Sequence, residues 1–474
     1  MRGVRVQIQG TGEADGGGDV DIFRNKNFSL MFFGRILTNI GDSLYAVSAM
    51  WLVYNLGGSS FYTGLAGFLS ILPKIIQIFS GPIIDRLPVR GILVYSQLIQ
   101  AFLLLIVPVA AYYDFLSVGL VLVITPILNI CNTWVYPVQM SALPRVVHKH
   151  QLTQGNSLFS IAYQGIDVAC NAISGVLIVA LGAVSMYFWN AIGFFIGAML
   201  FSQLRIAPFP SSSSAKQEAA KQPDTASASA DEESTGNRKH AGIRLFFRNY
   251  MDDLVSGIQL LTRTSLAKLL FGIMVINAAG GATFSVLPIY SDQLGGAGMY
   301  GLMLMAQAFG SVIGATCAPY LRLEQVRLGL LYSVAYITSG IAWIACVFAP
   351  WGWLSILVYG LAWLPGGAVN VIINTVVQKG IPQKYLGLVF AATMALSGIA
   401  MPVGSLIGGT LGVWMPTAGV ITLSGCIVVL VGVFWMVDRV SRSLPKTEHL
   451  NEGYFSFTPR AESARSGTGT GTGM

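Results

Sequence analysis

Apolar residues along this chain gather into long blocks instead of recurring at periods of 2 or 3.6, and polar and charged residues fill the short intervals between blocks. Twelve blocks are long enough to cross a hydrocarbon core of about 30 Å at about 1.5 Å per residue. The predicted spans are Phe28–Tyr54, Phe61–Ile84, Gly91–Tyr112, Ser117–Gln139, Ser157–Leu181, Ser185–Leu204, Ser265–Tyr290, Met299–Leu321, Leu328–Ala349, Trp353–Val377, Leu386–Gly412 and Thr417–Val437. The pattern predicts an all-α membrane protein with twelve transmembrane helices in two pseudo-symmetric six-helix bundles.

The intervals divide the chain further. Residues 1–27 form an N-terminal tail, Gly- and Asp-rich and without an apolar core, so no cleaved signal peptide is expected. Residues 28–206 make the first bundle and 265–437 the second. Between them, 207–264 open with a Ser-, Ala- and charge-rich stretch that cannot bury a core and is expected to be a disordered linker. The linker then continues with Ile243, Phe247, Tyr250, Leu254, Ile258 and Leu261 at helical spacing. That is an amphipathic helix, lying either on the inner leaflet or packed on the protein. Residues 438–474 form a C-terminal tail ending in Gly-Thr repeats. An internal repeat supports the two halves. At a constant offset of 238 residues Gly34 maps on Gly272, Asn39 on Asn277, Asn132 on Asn370 and Pro144 on Pro382. Leu56-Gly57-Gly58 and Tyr62 map on Leu294-Gly295-Gly296 and Tyr300 at the same offset.

Charge sets the orientation. Only 10% of residues are charged, against about 25% in soluble proteins. Arg35 and Lys74 lie within spans, and Lys268 one turn inside the seventh; every other Lys and Arg falls in the tails, the middle segment or the even-to-odd loops. The odd-to-even loops carry only Asp114 and Asp292. The positive-inside rule then puts both termini in the cytoplasm of a cell-membrane protein. The net charge of +7 is spread over these loops, which argues for a lipid bilayer and against nucleic acid as the partner. All five cysteines lie inside apolar blocks without a CxxC pair, and the four histidines lie outside the spans, so no metal or disulfide framework is expected. No P-loop and no convergent acid, base and nucleophile set is visible, which argues against an ATP-driven pump or an enzyme. No cofactor is called for, and a monomer is expected.

Four ionisable residues remain inside spans: Arg35 and Asp42 on the first, Lys74 on the second, Asp167 on the fifth. A mid-bilayer charge costs about 2.5–3.5 kcal/mol on insertion scales and faces a cavity or a partner. Arg35, Asn39 and Asp42 share one helix face. Depths of about 10 Å for Arg35, 21 Å for Asp42 and 15 Å for Lys74 and Asp167 allow all four to approach. Two readings stand: an ion cluster that fixes spans one, two and five, or cavity-facing groups that couple transport to protons. In the second, Asp42 is the first choice of coupling acid and Asp167 the second. Arg35, about 10 Å along the axis from Asp42, is expected to be out of steady reach, and Lys74 to be its cation.

The neutral inventory is larger. Asn129, Asn132, Tyr136 and Gln139 form a stripe on the fourth span, and Asn370, Asn374 and Gln378 echo it on the tenth. With Asn39, Asn277 and Gln307 they either line a cavity or bond helix to helix. Pro126 and Pro365-Gly366-Gly367 interrupt corresponding points of the two halves, as at transporter binding sites.

Gly81-Pro82-Ile83-Ile84-Asp85-Arg86-Leu87-Pro88-Val89-Arg90 resembles the G-x-x-x-D-R-x-G-R-R loop of the major facilitator superfamily, with Pro88 in place of the second Gly. Arg35, Asn39, Gly41-Asp42 and Trp51-Leu52-Val53-Tyr54 resemble its macrolide-efflux-like branch, as do Ala142-Leu143-Pro144, Leu152 and Asn156-Ser157-Leu158. The resemblance covers roughly residues 22–440. It implies the major facilitator fold, Gly81, Asp85, Arg86 and Arg90 as a conformational loop, and efflux of a hydrophobic or amphipathic small molecule in exchange for protons. The exporter signature of the fifth span is altered, with Cys170-Asn171 before Ser174-Gly175. An uptake symporter, a metal or siderophore carrier of the same fold, and a non-transporting membrane sensor therefore stand as alternatives.

Overall fold

Asn25 opens the first long helix: its side chain accepts hydrogen bonds from the amides of Asn27 and Phe28, satisfying donors that a helix start leaves unpaired. The helix α1 (Lys26–Gly57) ends at Gly58, whose φ of 60° is the left-handed turn that glycine adopts without strain. In this computed structural model the described residues are 22–70, 73, 88–148, 151–205, 266–381, 383–450 and 454–455. The predicted linker and amphipathic helix, Lys74, Gly81, Asp85 and Arg86 lie outside them.

The remaining helices are α2 (Ser60–Leu69), α3 (Val89–Tyr112), α4 (Val118–Thr133), α5 (Val135–Val146), α6 (Leu152–Leu181), α7 (Ala183–Ser202), α8 (Leu266–Gly295), α9 (Ala297–Tyr320), α10 (Leu328–Val347), α11 (Gly352–Gly380), α12 (Gln383–Trp414), α13 (Thr417–Val437) and α14 (Arg439–Arg442). Among the described residues, ten helical stretches are long and apolar enough to cross a membrane. The architecture is the predicted one, two pseudo-symmetric six-helix bundles. In the first, α1 packs on α6 and α7, and α3 on α7; in the second, α8 packs on α12 and α13, and α10 on α13.

Two predicted spans need correction at their middle or start, and the seventh runs five residues farther than predicted, to Gly295. The fourth is interrupted at Trp134, because Pro137 has no N–H for the carbonyl of Thr133 and its ring crowds that carbonyl. The polar stripe is thereby divided, Asn129 and Asn132 on α4, Tyr136 and Gln139 on α5. The fifth span starts at Leu152, five residues before the predicted Ser157. Asp167 therefore lies about 22 Å from the start of its helix, level with Asp42 at about 24 Å, and not shallower.

The halves meet through α2 against α12 and α6 against α9. Both contacts are made where glycines face each other. A Cβ on Gly64 would lie 2.7 Å from the Cα of Gly409, and one on Gly175 2.5 Å from the Cα of Gly301. Only glycine admits backbones this close. These contacts lie toward the end of the molecule at which α1 finishes, here termed the distal end.

The described part of the C-terminal segment is docked on the second bundle. Asp438 pairs with Lys268 at 2.6 Å and accepts from the amide of Ser441 at 2.9 Å. Lys268 first, and that amide second, hold the Asp438 carboxyl down to about 2, so it is charged throughout the neutral range. Farther on, the amide of Leu328 donates to the carbonyl of Pro445, and the amide of Phe455 to that of Gly380. Leu444, Leu450 and Phe455 are buried. A Cβ on Gly380 would meet the Phe455 ring at 2.6 Å.

Candidate functional site

Helical periodicity sets Arg35, Asn39, Asp42 and Ser43 on one side of α1, turned toward α6. Arg35 is only 2% exposed. Its Nη2 donates to Asn39 Oδ1 at 3.2 Å, and its guanidinium lies 5.2 Å from the centre of the Tyr163 ring. A cation over an aromatic face is held by the ring quadrupole. Asn39 in turn donates to the backbone carbonyl of Tyr163 at 3.0 Å.

Contrary to expectation, Arg35 does reach Asp42: Nη1 stands 3.9 Å from Oδ2. The long arginine stem runs along the helix, while Asp42 leans back toward the helix start as helical side chains do. The pair is loose, since neither Arg35 Nη1 nor Asp42 Oδ2 makes a hydrogen bond. Asn132 on α4 faces the Asp42 carboxylate. Asp167 joins from α6, where its Oδ1 accepts from Ser43 at 3.0 Å. One buried cation and two carboxylates from two helices, with the amide Asn132 from a third, thus meet at one level of the bundle.

One turn beyond Asp42, toward the distal end, a cavity of about 170 Å³ lies between the halves. Tyr45, Ala49 and Met50 of α1 and Asn129 of α4 line one side; Phe284 of α8 and Ser405 of α12 line the other. Of the predicted neutral residues, Asn129 is at the cavity and Asn39 and Asn132 are in the charged cluster. Gln139 is buried with neither side-chain atom hydrogen-bonded. Tyr136 lies on α5, its side chain outside the described set. In the second half Asn277 is half-buried on α8, and Gln307 accepts from the Tyr359 hydroxyl at 3.1 Å. Asn374 donates to the carbonyl of Asn370 on an exposed stretch of α11. These four stand in the other bundle, apart from the Arg35 cluster. Arg90 is exposed at the start of α3.

Sequence reasoning missed Ser43, Tyr163 and the pair Tyr54–Asp292. Ser43 continues the spacing of Asn39 on α1 and was open to the same argument. The Tyr54 hydroxyl donates to Asp292 Oδ2 at 2.8 Å, across an offset of 238 residues, the repeat offset itself. Equivalent positions of the two halves therefore meet, as they do next to a two-fold axis. Thr63 donates to the carbonyl of Ser285 at 2.6 Å and Ser60 to that of Gly409 at 2.8 Å, so the distal end is closed. Tyr54→Phe removes one exposed bond, worth about 0.5 kcal/mol at the low end of the usual range. It is expected to shift the population toward distal opening about twofold, read from spin-label distances across the distal end.

Comparison with known proteins agrees with this geometry. The sequence profile of the Major Facilitator Superfamily matches residues 31–405. The uncharacterized MFS-type transporter YvqJ of Bacillus subtilis (strain 168) is 20% identical over 87% of this chain and 92% of its own length. The multidrug efflux pump Tap of Mycolicibacterium fortuitum is 23% identical over 81% of this chain and 88% of its own. Among solved structures, a bacterial homolog of the human lysosomal transporter Spinster, inward-facing and occupied, superposes with a TM-score of 0.60 at 12% identity, covering 89% of this chain and 97% of that one. A point mutant of the nucleoside transporter NupG gives 0.61 at 11% identity, covering 87% and 99%. The chain belongs to the Major Facilitator Superfamily and is a multi-pass membrane transporter of small molecules, not an enzyme.

Proposed function

We propose that this secondary transporter exports hydrophobic or amphipathic small molecules in exchange for protons, by alternating access, with both termini in the cytoplasm of a cell membrane. The observation that carries this reading is the loose ion pair of Arg35 and Asp42, with Asp167 beside it, directly below a cavity shared by the two halves. A carboxylate placed at membrane depth, short of a full set of hydrogen bonds, is suited to taking up and releasing a proton as access changes. The macrolide-efflux-like features of α1 and the likeness to Tap support export. On this orientation the distal end is external, and the conformation seen here is closed to the outside. Asp85 and Arg86 then act as the cytoplasmic brace of the opposite state.

The test uses everted membrane vesicles with an acid interior and a lipophilic fluorescent dye. Dye is expected to accumulate in vesicles carrying the protein and to leave when nigericin collapses the pH gradient. Accumulation that ignores the gradient removes proton coupling. Dye uptake in intact cells, in place of exclusion, reverses the direction.

A further inference from the structure

The cavity above Asp42 has features that proton coupling does not use. Among the described residues no Asp, Glu, Lys, Arg or His lines it, and its surface is mostly apolar. Its volume of about 170 Å³ is close to that of dry protein cavities of about 150 Å³ that accept benzene. Phe284 offers a ring face, while Met50 and Met401 are side chains that adapt to an occupant's outline. Two of the lining residues carry hydroxyls buried beneath that surface. Ser405 is 2% exposed and its Oγ makes no hydrogen bond. Tyr45 is also buried, and its hydroxyl, with Thr125 as polar neighbour, makes none either. A buried donor without an acceptor is costly, and an occupant of this cavity that carries an acceptor would relieve that cost.

We infer that this cavity is a subsite for a neutral planar ring about the size of benzene that carries one hydrogen-bond acceptor, with Ser405 as its donor. The subsite rests on the transport reading only in placing a substrate between the halves. It adds which part of the substrate enters first and which residues choose it. Tyr45 stands three residues beyond Asp42 on the same helix, so a polar group attached to the ring extends back toward Asp42 and Asp167. Because α1, α2 and α4 line one side and α8 and α12 the other, the subsite exists only while the distal end is closed. An occupant therefore stabilises that conformation.

The test is binding of 4-fluoroacetophenone to the full-length protein in lipid nanodiscs, followed by ¹⁹F NMR without a pH gradient, with fluorobenzene as the probe lacking an acceptor. Saturable binding of 4-fluoroacetophenone is expected. Ser405→Ala, which removes the hydroxyl and adds no bulk, is expected to weaken it about tenfold and to leave fluorobenzene unchanged. Ala49→Phe is expected to abolish binding of both by filling the space, with the folded state of each variant checked by thermal unfolding. Equal partitioning of both probes into protein-loaded and empty nanodiscs overturns the subsite. So does a Ser405→Ala variant that binds both probes like the parent. Since no gradient enters the measurement, loss of proton-driven transport leaves the subsite standing, and loss of probe binding leaves the coupling residues standing.

Discussion

Replacing Asp42 by Asn reduces pH-driven transport to background while counterflow of substrate continues. The amide keeps the shape of a protonated carboxyl but cannot release a proton, so the step that depends on proton exchange is lost and the binding step is kept. Removing one partner of a buried ion pair costs about 3–5 kcal/mol at most. Here the figure is lower, because the pair is loose at 3.9 Å and Arg35 keeps Asn39 and the Tyr163 ring. The variant is thus expected to fold. Parallel measurement of thermal stability, gradient-driven flux and counterflow separates the effects. Asp167→Asn is expected to do less. Both carboxyls stand at one level, but Asp167 is exposed, and an amide there still accepts from Ser43. If Asp42→Asn transports like the parent under a pH gradient, the cluster is a structural ion group tying α1 to α6.

The second large effect is expected at the distal seam. Leucine at Gly64 or at Gly175 places atoms where the facing backbone of Gly409 or Gly301 now lies. Backbone cannot move aside as a side chain can, so the halves separate. Overpacking of this kind costs about 1–3 kcal/mol per site. The two sites lie on different helix pairs and share no partner, so their effects add. The double variant is expected to depopulate the distal-closed state almost completely and to lose transport. Spin-label distances across the distal end should lengthen, and thiols engineered into the cavity should become reactive from the distal side. A double variant with parental distances and flux shows that the seam is not what closes this end.

The order in which the site became legible follows from the range of each force. Burial of apolar surface is read from composition along a single helix, so the spans within the described residues could be placed, the last to the residue. Proline effects are just as local, and Pro137 carried the signal for the break at Trp134, but an apolar run hides it. The start of α6 lies earlier than expected because Leu152–Ser157 is polar enough to resemble loop, although it is the first part of the helix. That five-residue difference moved Asp167 by more than a helical turn. Arg35 illustrates a further limit: axial distance between Cα atoms underestimates what a long side chain spans. Ser405 and Tyr45 had no sequence signal at all, because an unpaired hydroxyl is a property of what surrounds it.

The bond between Tyr54 and Asp292 bears on how such a chain can arise. Near a two-fold axis a residue faces its own equivalent. Two identical six-helix subunits would set tyrosine against tyrosine there, or aspartate against aspartate, and the second arrangement repels. A phenol donating to a carboxylate requires the two positions to differ. Fusing the halves into one chain releases each position from its copy, so a single polypeptide can hold its distal end shut with a donor and an acceptor where a homodimer would be held to matched pairs.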